Sequence, residues 1–118
     1  MPQKVMIVDD DYTMNSLLKM LLEMDGFKVL LCPQADEVLT LARSEKPDVL
    51  LMDIHIGDAD GVEILRTIRR DAGLQALPVI IQSGMDLEDK CKAAGASAFI
   101  LKPYPPDHLG ATLKKVLS

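Results

Sequence analysis

Four short apolar runs of this chain each end on a residue that phosphoryl transfer to an aspartate needs. Val5-Met6-Ile7-Val8 runs into Asp9-Asp10, Val49-Leu50-Leu51-Met52 into Asp53, Val79-Ile80-Ile81-Gln82 into Ser83, and Phe99-Ile100-Leu101 into Lys102. Such transfer depends on neutralising the phosphoryl oxygens and on in-line placement more than on acid–base help. A carboxylate to accept the group, others to hold a cation, a hydroxyl and an ammonium form a sufficient set. A fifth run, Val29-Leu30-Leu31, ends on Cys32 and adds nothing to it.

Carboxylates crowded together repel and raise one another's pKa values unless a cation neutralises them. Oxygen-only ligands select a hard ion, and a site completed by water and phosphate oxygens suits Mg²⁺ better than Ca²⁺. Asp9-Asp10-Asp11 also has a plainer reading, a solvated acidic cap on the first helix, whose dipole favours negative charge. Asp53 follows a fully apolar run, which puts it at a sheet edge; its plainer reading is a helix or loop cap. Ser83 alone is a weak signal, and Lys102 before Pro103 reads equally as a surface charge on a buried stem. The joint occurrence at four strand ends carries the argument.

The elements that must position these residues are legible from periodicity. Met14, Leu17, Leu18, Leu21 and Leu22 follow helical spacing, with Gly26 as the stop. Val38, Leu41 and Ala42 give a shorter helix, as do Ile64, Leu65 and Ile68, while residues 86–94 read as a helix stopped by Gly95. Leu109, Leu113, Val116 and Leu117 form the last, entered through Pro105-Pro106-Asp107. Strand followed by helix, five times, predicts an α/β fold: a five-stranded parallel sheet with helices on both faces and right-handed crossovers. The expected order is the flavodoxin-like 2-1-3-4-5, whose switch point between the first and third strands falls beside Asp9, Asp10 and Asp53.

At 118 residues the chain fits one domain, 1–118, which at this size buries roughly two thirds of its unfolded surface. Without Trp and with only 3% aromatic residues, the expected core is aliphatic. A formal net charge of -5 argues against direct binding to nucleic acid or an anionic membrane and favours a cation or a basic protein surface. Met1-Pro2-Gln3-Lys4 leads into no apolar stretch of signal-peptide or membrane-spanning length, so a cytoplasmic location is expected. Cys32 and Cys91 lack CxxC spacing and neighbouring histidines; they read as reduced thiols at the edge of the core.

Over essentially its whole length the chain resembles the receiver domain of two-component response regulators. The resemblance rests on Val8-Asp9-Asp10-Asp11, Pro47 through Asp53 with Asp60-Gly61 downstream, Ser83-Gly84, and Gly95-Ala96 followed by Lys102-Pro103. It implies a phosphoacceptor signalling domain, not an enzyme in the ordinary sense, that assists its own phosphorylation and dephosphorylation. Asp53 is then the acceptor for a phosphoryl group from a sensor histidine kinase or a histidine phosphotransfer protein. Asp10 binds Mg²⁺ directly and Asp9 largely through water, with Asp53 and the backbone carbonyl of His55 completing the protein ligands. Ser83 and Lys102 contact phosphoryl oxygens, and movement of Ser83 lets Phe99 rotate inward, although Phe99 reads equally as a core residue. His55 and Met85 fall at the two positions that flank the approach of a hydrolytic water.

Three positions depart from the family pattern. Gly57 replaces the usual proline four residues after the acceptor, which suggests a more flexible loop. The segment from Ser83 to Gly95 is shorter by about three residues, close to one helical turn. Ser97-Ala98 stands where dimerising DNA-binding regulators often carry an acidic pair, so their dimer is not expected. A second family also fits one motif: Asp9-Asp10-Asp11-Tyr12-Thr13 matches the DxDxT signature of haloacid-dehalogenase-type phosphotransferases, with Asp9 as nucleophile. Against it, no acidic pair follows on a later strand, and the chain has no room for a substrate cap.

Overall fold

The apolar runs become the strands of one twisted sheet. In a computed structural model describing residues 2–118, the order is β1 (Lys4–Val8), α1 (Tyr12–Met24), β2 (Lys28–Cys32), α2 (Val38–Glu45), β3 (Val49–Asp53), β4 (His55–Ile56), β5 (Ala59–Asp60), α3 (Gly61–Arg70), β6 (Val79–Ser83), α4 (Glu88–Ala93), β7 (Ala98–Leu101) and α5 (Pro106–Leu117). The main sheet is β2-β1-β3-β6-β7, parallel throughout, which is the expected 2-1-3-4-5 order counted over its five strands. Near-continuous Val, Ile and Leu runs suit such strands because helices cover both faces.

Alternation along the strands splits the core in two. Met6, Val8, Leu50, Met52, Val79 and Ile81 pack under Val38, Val62, Leu65, Ile68 and Cys91. Val5, Ile7, Val49, Leu51, Ile80 and Ile100 pack under Leu18, Leu22, Leu109 and Leu113. Cys32 and Cys91 are fully buried members of the core, not edge residues, and burial pushes both thiols up.

Two further expectations change. The buried stripe of α1 is Asn15, Leu18 and Leu22, while Met14 and Leu17 are 39% and 44% exposed. The apolar stripe of this helix is wider than the sheet can cover, so its outer half faces solvent. The loop after β3 is not loose either: β4 and β5 pair antiparallel around a two-residue Gly57-Asp58 turn. Gly57 has φ 61°, which glycine adopts without steric cost and proline cannot adopt. Helix α4 is short, and Gly95, at φ 109°, follows it. The Arg69 side chain packs there, its Nε donating to the Gly95 carbonyl at 2.9 Å.

Candidate functional site

Parallel strands deliver their carboxyl ends to one edge, and register decides which side chains meet there. Asp53 lies opposite Gln82 on β6, and Val8 opposite Met52, so Asp9 follows β1 at the level where Asp53 ends β3. Continued alternation puts Asp9, Asp53, Gln82 and Lys102 on the α1/α5 side of the sheet. The structure thus brings together Asp9, Asp10, Asp53 and Lys102, with Ser83 beside them.

The acidic triplet divides into three roles. Asp11 is the N-cap of α1, its Oδ1 accepting from the Met14 amide at 3.0 Å. Asp10 is exposed and reaches across to the β4–β5 turn, where its Oδ2 accepts from the Gly57 amide at 2.9 Å. Asp9 is only 2% exposed, and its Oδ1 accepts from the Asp11 amide at 3.0 Å. Burial pushes the Asp9 carboxyl up to about 6; the Asp11 amide opposes this, Asp53 and Asp10 add to it, and Lys102 opposes it. The solvated-cap reading therefore holds for Asp11 alone.

Asp53 is 8% exposed, and its Oδ2 accepts from Lys102 Nζ at 2.5 Å. Its other oxygen accepts from the His55 amide at 3.3 Å. The chain reaches this geometry partly through Gly61, where an added Cβ would stand 2.5 Å from the Asp53 carbonyl oxygen. Asp60 caps α3 from the preceding position, accepting from the Val62 amide at 2.8 Å. Ser83 is buried, its Oγ accepting from the Met85 amide at 3.1 Å, and its carbonyl accepts from the Lys102 amide at 2.7 Å. His55 is exposed and Met85 is 63% exposed, both on the solvent side of the crevice. Phe99 is half-buried on the opposite face of the sheet, among the residues packed against the α2–α4 core.

The donor set suits a hard divalent cation, being all oxygen with three carboxylates against the single ammonium of Lys102. Among the described residues, no three acidic, His or Cys side chains converge into a closed metal cluster by themselves. Asp53 is drawn to Lys102 and Asp10 to Gly57, and Mg²⁺ characteristically uses one or two carboxylates and fills its shell with water and phosphate oxygens.

Sequence reasoning passed over a second layer behind these groups. Gln82, 1% exposed, closes an apolar run, and its Oε1 accepts from the Tyr104 hydroxyl at 2.6 Å. Burial pushes the Tyr104 phenol up to about 12, with Asp9 and Asp53 adding to the effect. Asn15, 2% exposed, donates its side-chain amide to the Asp9 carbonyl at 2.6 Å. Polar residues inside otherwise apolar stripes were the available signal.

Comparisons with known proteins agree on the family. The model of the response regulator receiver domain matches residues 5–114. The chain is 38% identical to Protein PilH of Pseudomonas aeruginosa, covering 98% of each chain. It is 32% identical to the polar-differentiation response regulator DivK of Brucella anthropi, covering 99% of this chain and 98% of that one. The chemotaxis response regulator CheY4 of Vibrio cholerae superposes with a TM-score of 0.91 at 25% identity, over 99% of this chain and 100% of that one. None of these supports the alternative with Asp9 as nucleophile. With its sheet order, its carboxylate crevice and its match over residues 5–114, the chain belongs to the response regulator receiver domains of two-component signalling.

Proposed function

We propose that Asp53 accepts a phosphoryl group from a phosphohistidine of a sensor histidine kinase or a histidine phosphotransfer protein, with Mg²⁺ held by Asp9, Asp10 and Asp53 and the His55 carbonyl. The observation that carries this reading is the 2.5 Å contact between Lys102 Nζ and Asp53 Oδ2, made across 49 residues of chain at the carboxyl edge of the sheet. In the transfer, the phosphorus–nitrogen bond of the donor breaks as a phosphorus–oxygen bond to Asp53 forms, and the imidazole keeps the electron pair. Bound Mg²⁺ supplies positive charge to the phosphoryl oxygens.

Lys102 stands on the other flank and offers its ammonium protons to the incoming group. The Ser83 hydroxyl is used as an acceptor by the Met85 amide, which leaves its own proton for a phosphoryl oxygen. Pulling Ser83 toward that oxygen disturbs the strand pair β6–β7, in which Ile81 lies opposite Phe99. Phe99 borders a cleft of about 470 Å³ between α4 and α5, also lined by Lys92, His108 and Lys115, which gives its ring room to change rotamer. The local charge event then biases a two-state element.

The donor protein approaches over the start of α1 and the loop 102–106, where Asp11 and Met14 are exposed. His55 and Met85 flank the line of a hydrolytic water; neither orients one well, so the acyl phosphate persists for many minutes. The net charge of -5 supports action on proteins and not on nucleic acid or a membrane, in the cytoplasm. No helix among the described residues is long and apolar enough to cross a membrane.

The test uses acetyl phosphate and Mg²⁺ with intact-mass detection. One added phosphoryl group is expected in the wild type and none in Asp53→Asn, with peptide mapping placing the label at Asp53. Label at Asp9 would restore the phosphotransferase alternative.

A further inference from the structure

The chain carries polar groups behind the acceptor crevice that neither phosphoryl binding nor core packing requires. Gln82 is nearly fully buried, directly after Val79, Ile80 and Ile81 in the strand, and its Nε2 has no hydrogen-bond partner among the described residues. A buried carboxamide with an unpaired donor costs stability, so packing alone favours an aliphatic side chain at this position. Exchanging the oxygen and nitrogen of the amide does not remove the cost, since Tyr104 engages only one of them.

Its location suggests what the residue does. Gln82 is the register partner of Asp53, and neighbouring strands lie about 4.8 Å apart, so the two side chains stand side by side on the α1/α5 face. Tyr104 comes two residues after Lys102, and its ring packs against the core that contains Leu109 and Leu113. The segment that presents Lys102 is therefore attached to the sheet at three successive points: the Lys102 amide on the Ser83 carbonyl, Lys102 Nζ on Asp53, and the Tyr104 hydroxyl on Gln82.

We propose that Gln82 and Tyr104 are positioning residues for the phosphoryl-transfer site, a buried hydrogen-bonded latch that fixes the path of the 102–104 segment and so holds Lys102 against Asp53. This rests on the assignment of Asp53 as acceptor. The latch acts through Lys102 and touches no reacting atom. Protected from ionisation, the Tyr104 phenol remains a donor throughout the neutral range. Preorganising one ammonium in this way saves the cost of fixing a long, flexible side chain during transfer.

The experiment measures uptake of label from acetyl phosphate with Mg²⁺, together with thermal stability, in Gln82→Leu, Tyr104→Phe and the double variant. Each single change is expected to slow uptake about 2- to 10-fold, the rate equivalent of one net hydrogen bond. The double variant should be no slower than the slower single, because both remove the same bond. The double variant should melt at the same temperature or higher, since it deletes the unpaired carboxamide donor without leaving the Tyr104 hydroxyl unpartnered, and this separation of rate from stability is what a merely structural residue would not give. In proton NMR, the Tyr104 hydroxyl proton should be protected from exchange in the wild type and lose that protection in Gln82→Leu. Unchanged rates, effects that multiply in the double variant, or rates that fall only in step with stability would overturn the latch. Absence of label in the wild type itself would instead overturn the acceptor assignment, an outcome distinguishable because it does not depend on the variants.

Discussion

The two faces of the central sheet are made by the same strands, yet at the carboxyl end one buries two carboxylates and a carboxamide and the other a single hydroxyl, that of Ser83. Under α2, α3 and α4, the buried residues of the core are apolar from Met6 and Leu50 through to Val8, Met52 and Ile81. Under α1 and α5, the aliphatic layer of Val5, Leu51 and Ile80 gives way within one step along each strand to Asp9, Asp53 and Gln82, each 8% exposed or less. Asn15 and Tyr104 continue this polar layer outward. The first face is assembled for stability. The second gives up stability at one end, where charges are buried with a single ammonium among them, and that end holds Asp53, the proposed phosphoryl acceptor.

The sharpest way to break the comparison is through phosphorylation. Lys102→Met should slow uptake of label from acetyl phosphate on the order of 10²–10³-fold, the usual cost of losing one preorganised charge-stabilising donor. Leu51→Ala, one turn of the pleat below Asp53, should leave the chemistry largely intact while costing about 2–5 kcal/mol of stability in denaturant unfolding. Equal loss of phosphorylation in the two variants would erase the distinction between the polar end and the apolar layer.

A pH titration of stability tests the buried carboxylate next. The Asp9 carboxyl, near 3.8 in the unfolded chain, is pushed up to about 6 in the fold, so between these values the folded state binds more protons. The stability it contributes is complete below pH 3.8 and is lost as pH rises through 6, amounting to about 3 kcal/mol at roughly 1.4 kcal/mol per pKa unit. In metal-free protein, Asp9→Asn should remove this loss and be the more stable at pH 7, whereas added Mg²⁺ should stabilise the wild type more than the variant. The opposite ranking at pH 7 without metal would mean that Asp9 is not strained by its burial.

Smaller effects belong to the two glycines that shape the crevice. Gly61→Ala forces a Cβ to within 2.5 Å of the Asp53 carbonyl oxygen, and the backbone shift that follows should cost about 1–3 kcal/mol. Chemical shifts at Asp53 and Ile54 should move most if that collision is the cause. Gly57→Pro should both open the β4–β5 turn and delete the amide that holds Asp10, reducing the stabilisation gained on adding Mg²⁺ by about 1 kcal/mol or less. Gly57→Ala keeps the amide, and its Mg²⁺-induced shift should remain near that of the wild type. A Mg²⁺ response unchanged in both variants would show that this amide does not orient Asp10.

Periodicity and strand-end chemistry by themselves determined the parallel sheet, its order, and the gathering of Asp9, Asp10, Asp53, Ser83 and Lys102 at one edge. Those are local signals: a run of β-branched residues reads as a strand, and its last residue reads as an edge residue, whatever the rest of the chain does. Only the tertiary structure decided that Met14 faces solvent while Asn15 is buried, because an apolar stripe wider than its contact does not reveal which half the sheet covers. The same holds for the division of Asp9, Asp10 and Asp11 among burial, a hairpin amide and a helix cap. The Gly57 amide and Asp10 lie 47 residues apart, and Tyr104 and Gln82 lie 22 apart. Neither pair carries a spacing rule, since each meets only once strand register and loop path have fixed where a single hydrogen-bonding group ends.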